Sequence, residues 1–272
     1  RSSETTMRTR DPRGPTQAPT GSTPSAWLTT AILLRKPGSQ SLLYHGFTLN
    51  ENGLLVDYPK TPTVYLTDVL TNHARDAVAV GSSTGTPFFL LLSYFAPHSG
   101  RPLDPDDVQA PGVTLNPKPA SRHRDVFAGE PFLPPPSFNE KDVSDKPPSV
   151  RRRPRLSVPQ MQAIQEAYEQ RLESLLAVDE GVAQVIEALR ASGELENTLI
   201  VFTSDNGYML GEHRIPPDRG KGSVYEPSVR VPLVIQGLDL PQNRRVTKVV
   251  ANIDLASTIL EATQATPGRV QD

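Results

Sequence analysis

The apolar run Leu199-Ile200-Val201-Phe202 stops abruptly at Thr203-Ser204-Asp205-Asn206-Gly207. A short, continuously apolar segment reads as a buried strand. Ending it in polar residues puts them at the carboxyl edge of a sheet, where α/β proteins hold ligands. Such a strand needs a covering layer, and the preceding text supplies one. Met161, Ile164, Tyr168, Leu172, Leu175, Val178, Val182, Val185 and Leu189 recur every three or four residues, opposite Gln, Glu and Arg positions assigned to solvent. Gly193 is placed to end that helix. The same alternation runs through the rest of the chain. A helix is predicted over Tyr65–Val78, a turn over Gly81–Gly85, and a buried strand over Phe88–Leu92. Strands follow over Val231–Ile235 and Val249–Asn252, then a helix over Leu255–Ala262 with Asp254 as N-cap. This order predicts an α/β protein: a doubly wound mixed sheet flanked by helices.

The 272 residues suffice for one sizeable α/β domain with a core. Residues 1–43 open on polar Pro/Ser/Thr/Arg-rich text and are expected to be disordered, apart from an apolar burst over residues 26–43 that suits strand or helix. Ordered text is expected from Tyr44. Asn50-Glu51-Asn52-Gly53 marks a hairpin, because Asn-Gly readily takes positive φ angles. Residues 101–158 form a long Pro-rich excursion whose length predicts a substrate-facing loop or poor order. A net charge of -2 and a pI near 6.3 give no electrostatic case for nucleic acid or a membrane surface. No apolar run approaches the roughly 20 residues of a spanning helix, and no signal-peptide pattern is visible. Cysteine is absent, which excludes disulfides, thiolate metal ligands and cysteine nucleophiles from this sequence.

The polar strand end carries the chemistry. Asp205 and Asn206 offer adjacent carboxylate and carboxamide oxygens, hard donors suited to Ca²⁺ or Mg²⁺ and poorly suited to Zn²⁺. The same letters also read as an ordinary turn. His213, Arg214 and the Gly220-Lys221 pair follow, bringing positive charge that could face an anion. His98 sits where the Phe88–Leu92 segment ends in Ala96-Pro97-His98, and imidazole can donate a proton near neutral pH. His45, His73 and His123 read as structural or surface residues. Arg151-Arg152-Arg153-Pro154-Arg155 reads as a solvated basic loop, with steering of a polyanion as the alternative.

Thr198 to Arg230 resembles the sulfatase family, following its S/T-D-N-G, G-K, Y-E and R-V-P pattern at Ser204–Gly207, Gly220-Lys221, Tyr225-Glu226 and Arg230–Pro232. Further likeness to arylsulfatases and N-acetylglucosamine-6-sulfatases lies in G-F-T-L-N-E-N-G, Y-L-T-D-V-L, P-S-F-N-E-K-D-V-S-D-K-P and L-L-A-V-D-E, so it spans about residues 44–265. The resemblance implies an alkaline-phosphatase/sulfatase-like fold, incomplete at its N-terminus, and metal-assisted hydrolysis of a sulfated small molecule or sulfated sugar. It also implies Asp205 and Asn206 as ligands of Ca²⁺ or Mg²⁺, His98 and Lys221 as catalytic and sulfate-binding residues, and His213 as a substrate contact. Asn206 favours sulfatases over the related phosphoesterases, which carry histidine there for Zn²⁺.

Two departures stand out. Asp218-Arg219 lengthens the usual loop before Gly220-Lys221. The family's C/S-x-P-S-R motif, source of the formylglycine nucleophile, is not found: Ser22-Thr23-Pro24-Ser25-Ala26 echoes it without the Arg. The sequence therefore predicts half of an active site, little turnover and exposed apolar edges, hence a marginally stable chain. The rival readings are a non-catalytic binder of sulfated glycans and a phosphoesterase of the same superfamily.

Overall fold

The computed structural model describes residues 33–34, 43–101, 104–114, 116–238 and 240–264. The disordered tail expected over residues 1–43, including Ser22–Ala26, lies almost wholly outside these residues. Its exceptions are Leu43 and the short strand β1, Leu33–Leu34. β1 pairs antiparallel with β2 (Thr48–Glu51), which pairs with β3 (Leu54–Asp57). The β2–β3 turn is the anticipated hairpin: Asn52 and Gly53 have φ of 54° and 95°, and the Asn50 side chain accepts from Gly53 N at 2.7 Å.

Helix α1, Leu66–Thr84, runs well past the expected end at Val78. Gly81 and its neighbours are helical rather than a turn, and Gly85, left-handed at φ 60°, caps the end. Gly81 is needed inside the helix because the Phe88 ring lies against it where a side chain would stand. After α1 and the short helix α2, Pro148–Arg151, comes α3, Val158–Ala191, 34 residues and about 50 Å long. It begins before Met161 because Ser157 and Gln160 form a capping box, contributing about 1 kcal/mol. Gly193 follows its end with φ 78°, as anticipated.

The predicted stripe is buried at Ile164, Val178 and Leu189, but the enclosed face of α3 extends beyond it. Ala163, Ala167, Gln170, Ser174, Ala177 and Gly181 are enclosed, whereas Leu175 is exposed. Apart from Gln170 these residues are small, and the set repeats at steps of four and three, a seam that lets a neighbour come close. At Gly181 an added Cβ would lie 2.5 Å from both the Thr71 hydroxyl of α1 and the Tyr94 hydroxyl, which hydrogen-bond each other at 2.9 Å. Tyr44 and Tyr65 stack at 5.4 Å and close the core beside Ala177 and Val178. On another side of α3, much of the Pro-rich excursion is packed rather than loose. Ala110 and Val113 join Leu156, Ala163 and Ile164 in one cluster, while Val143 and Val150 join Met209 and Ile215 in another.

The α/β class holds, but extended pairing among the described residues is confined to two antiparallel sheets, with isolated bridges at Ala110–Val113 and Phe138–Glu212. β4, Ile200–Thr203, pairs with β5, Leu233–Gln236, in register Val201 to Ile235. Phe88–Leu92, expected as a buried strand, is in neither sheet. Its residues alternate between partly buried and exposed, with Leu92 packed beside Phe47, Leu49 and Leu66 and with Leu91 open. Val249–Asn252 is likewise not a strand but an exposed connection, with no ladder partner among the described residues. The closing helix α5 spans Asp254–Thr263. Asp254 is its first residue rather than its N-cap, accepting from Ala251 N at 2.9 Å.

The β4–β5 pair leaves apolar side chains open: Phe202, Leu233, Val234 and Ile235 are 42%, 37%, 59% and 37% exposed. Phe202 and Val234 share one face and Leu233 and Ile235 the other, and exposed apolar surface of this kind binds amphiphilic dyes. The folded chain is expected to enhance anilinonaphthalene sulfonate fluorescence, and the double change Val234→Thr, Ile235→Thr to reduce it. Fluorescence indifferent to both substitutions would locate the dye elsewhere.

Candidate functional site

Helix α3 carries the scaffold of the site, and three irregular segments lie against it. The first is the Ala96-Pro97-His98 turn. Its backbone is fixed by His98 N donating to Phe95 O at 2.8 Å and by the buried Tyr44 hydroxyl donating to His98 O at 2.5 Å. The half-buried imidazole stacks on Phe95 at 5.0 Å, with Nδ1 2.9 Å from Ser99 O. That contact favours a proton on Nδ1 and leaves Nε2 as the nitrogen available to a ligand.

The second segment leaves β4 through Ser204–Leu210. Asp205 is exposed, and its Oδ1 accepts the Asn206 amide at 2.9 Å. Asn206 Nδ2 donates to Gly207 O at 2.8 Å, so the side-chain oxygen stays free for other partners. Gly207 is required where it stands: Gly207 N donates to Ser228 O at 2.9 Å, and Pro227 O fills the space a Cβ would need. The strand end is thereby clamped by α4, Glu226–Val229.

The third segment brings Lys221. The additional Asp218-Arg219 pair does not splay the loop, because Pro217–Arg219 forms a tight 3₁₀ turn. Asp218 N donates to Gly112 O, and its carboxylate accepts from Thr114 N and Oγ1 at 3.0 and 2.8 Å. Gly220 then packs on the Tyr208 ring, 2.9 Å from where its Cβ would be, and its carbonyl accepts from Met209 N at 2.7 Å. Lys221 follows directly, exposed.

His98, Lys221 and Asp205 thus come from distant parts of the sequence to one electrostatic neighbourhood. Burial, first, pushes the His98 pKa down from its ordinary value. The Ser99 carbonyl opposes this, Lys221 and Arg171 add to the lowering, and Asp205 works against them. Arg171, on the α3 face that periodicity assigns to solvent, is the residue sequence reasoning missed. Its guanidinium lies 3.7 Å above the Tyr208 ring centroid, and Nη1 donates to Pro97 O at 3.2 Å. Nε is enclosed with no partner among the described residues. Burial lowers its pKa, against the opposing pull of Tyr208 and Tyr44. A partly desolvated stack of this type contributes about 0.5–2 kcal/mol. Only the three-dimensional approach of Tyr208 identifies Arg171; its helical position gives no signal.

His213 is placed differently. Its Nδ1 is 2.7 Å from Glu140 Oε2, and its ring packs on Tyr225 at 4.1 Å. Arg214 beside it donates to the carbonyls of Glu140, Lys141 and Arg153. These contacts staple the loop to residues 140–153. His45 and His73 are also engaged structurally, at Val64 O and at Tyr58, and the buried His123 faces Glu180.

The cation test is chemical. Asp205 and Asn206 present oxygen donors of the hard type that Ca²⁺ and Mg²⁺ take. They are two donors only: among the described residues no group of three or more His, Asp or Glu side chains is placed to hold a metal ion. No described helix is long and apolar enough to cross a membrane.

The Sulfatase family profile matches residues 37–265 of this chain, and the chain belongs to that family. An arylsulfatase of Volvox carteri is 34% identical over 73% of this chain and 32% of its own length. An N-acetylglucosamine-6-sulfatase of Capra hircus is 32% identical over 80% of this chain and 36% of its own length. The chain therefore spans about a third of these curated relatives. Among solved structures, one described in complex with its substrate D-glucosamine-2-N,6-O-disulfate superposes with a TM-score of 0.63 at 21% identity, covering 87% of this chain and 56% of that one. A putative sulfatase of Bacteroides fragilis gives a TM-score of 0.57 at 20% identity over 86% of this chain and 45% of its own. The fold is thus the alkaline-phosphatase-like fold of sulfatases, in part.

Because burial disfavours imidazolium, His98 is protonated more readily in the unfolded chain than in the folded one. Its contribution to stability is therefore present above about pH 6.5 and is lost as pH falls toward the lowered folded value. Urea titrations at pH 7.5 and 5.5 are expected to show this loss, and His98→Gln to flatten it. An undiminished slope in His98→Gln would assign the dependence to another group.

Proposed function

We propose that this chain supplies the cation-binding and sulfate-binding half of a sulfuric ester hydrolase that acts on a sulfated sugar or a sulfated small molecule. The observation that carries this reading is the approach of the Ala96–His98 turn to the Tyr208–Lys221 segment, spanned by Arg171, which donates to Pro97 O and covers the Tyr208 ring at 3.7 Å. Descent from the sulfatase family gives the reaction class, and the relation to N-acetylglucosamine-6-sulfatases favours a sulfated hexosamine.

In this reading Lys221 contacts sulfate oxygens as a compact point charge. His98, neutral at pH 7 with its lowered pKa and its proton on Nδ1, presents Nε2 to the ligand as an acceptor, while its stack on Phe95 fixes the ring plane. Asp205 and Asn206 would hold Ca²⁺ or Mg²⁺, which when bound polarises the sulfate oxygens. His213 acts as a loop anchor, through Glu140 and Tyr225, rather than as a direct sulfate contact. The sequence contains no cysteine, and no serine stands in the family's nucleophile motif, so no formylglycine step is assigned to these residues. Binding, with negligible turnover, is the expected behaviour of the chain by itself.

Calorimetry with glucosamine 6-sulfate in the presence of Ca²⁺ tests this. Lys221→Ala and Asp205→Ala are each expected to weaken binding about tenfold or more, the usual loss for a contact to a charged group. Hydrolysis of 4-nitrophenyl sulfate should stay at background in every variant. Equal affinity across the variants would overturn the site assignment. Turnover abolished by Asp205→Ala would show a complete catalyst instead.

A further inference from the structure

We propose that Arg171 is the positioning residue of this site, the group that locks the His98 turn to the Tyr208–Lys221 segment across helix α3. The proposal rests on the sulfate-binding reading above for its ligand, and on geometry for its substance. The guanidinium touches both halves at once: Nη1 donates to Pro97 O, one residue before His98, and the flat face covers the Tyr208 ring at 3.7 Å.

Tyr208 passes the constraint on. Its hydroxyl donates to Pro217 O at 2.5 Å, at the start of the 3₁₀ turn, and its ring edge is the surface on which Gly220 lies. A side chain at position 220 would collide with that ring and with Met209 O. Lys221 therefore takes its place from a ring whose opposite support is Arg171. Two residues that must meet one small anion, His98 and Lys221, are held to a common reference by a third that is rigid, planar and anchored in the longest helix.

The choice of arginine follows from this geometry. A planar fork can lie flat on an aromatic ring while donating in its plane to a carbonyl, and lysine cannot do both. The charge also has an electrostatic effect. No carboxylate pairs with Arg171 among the described residues, so its field adds to that of Lys221 at His98 and leaves the neighbourhood short of negative charge. Facing the imidazole are Lys221 and Arg171 on one side of the balance and Asp205 with the Ser99 carbonyl on the other.

The experiment is an NMR titration of the five histidine rings, paired with sodium sulfate binding in Ca²⁺, on the whole chain and three variants. In Arg171→Met the His98 pKa is expected to rise toward the ordinary imidazole value and sulfate affinity to fall about tenfold. Arg171→Lys should keep the His98 pKa near wild type, since the charge remains, yet still lose sulfate affinity, since the stack does not. Arg122→Met, which breaks the pairing to Asp68 of α1 and Glu180 of α3, should lower the melting temperature and move neither readout.

A folded Arg171→Met with wild-type His98 titration and wild-type sulfate affinity overturns the proposal. So does an Arg122→Met variant that reproduces the Arg171→Met effects, because that would reduce the role to general stability. If Arg171→Met does not fold, full sulfate affinity in Arg171→Lys overturns it alone. If the wild-type chain binds no sulfate, the functional reading fails, and the His98 titration still decides the role of Arg171.

Discussion

The close approach of α1 and α3 at Gly181 is the contact on which the rest of the architecture depends. Two helices can come this near only where side chains are small, and Gly181, with no side chain beneath Thr71, provides that. Once α3 is seated, its remaining faces become walls for the Pro-rich excursion and for the Ala96–His98 turn. Tyr94 completes the seam by bonding Thr71 over Gly181, four residues before the histidine of the site. Core packing and site geometry are in this sense one problem, solved along one helix.

Electrostatics then give the site its sign. A charged side chain is rarely enclosed without an opposite charge nearby. Arg171 meets an aromatic face and a backbone carbonyl instead of a carboxylate. That arrangement leaves positive potential beside His98, and an anionic ligand is the natural complement. The contrast with Arg122 is instructive. That guanidinium, also against α3, makes four hydrogen bonds to Asp68 and Glu180 and has no charge left to offer.

Much of this was legible in the sequence wherever the signal was local. Asn52-Gly53 specified a hairpin through backbone φ alone, and Asp205-Asn206-Gly207 marked the end of β4 because an apolar run stopped there. Helices α1 and α3 were readable by period, though their ends were set by features that periodicity ignores: the Ser157–Gln160 capping box and the continuation through Gly81. What stayed hidden was non-local. The tight face of α3 is made of Ala, Ser and Gly, which carry little hydrophobic signal, so periodicity found Ile164, Val178 and Leu189 but missed the seam and placed exposed Leu175 in the core. Phe88–Leu92 looked like a buried strand, yet burial on both faces needs neighbours that local text cannot supply. Arg171 was indistinguishable from any solvated helix arginine until Tyr208, thirty-seven positions later, folded beneath it.

The Asp218 carboxylate, fastened to Thr114, ties the loop carrying Lys221 to a stretch of chain a hundred residues earlier. Loop length and loop placement are thereby uncoupled. Residues added between Pro217 and Gly220 can coil into a turn while the anchor keeps the lysine in place. Variation in the Gly112–Thr114 segment, by contrast, would drag the lysine with it. Exchange of that remote segment, more than any change beside the lysine, is the route by which such a scaffold could retune how it grips its ligand.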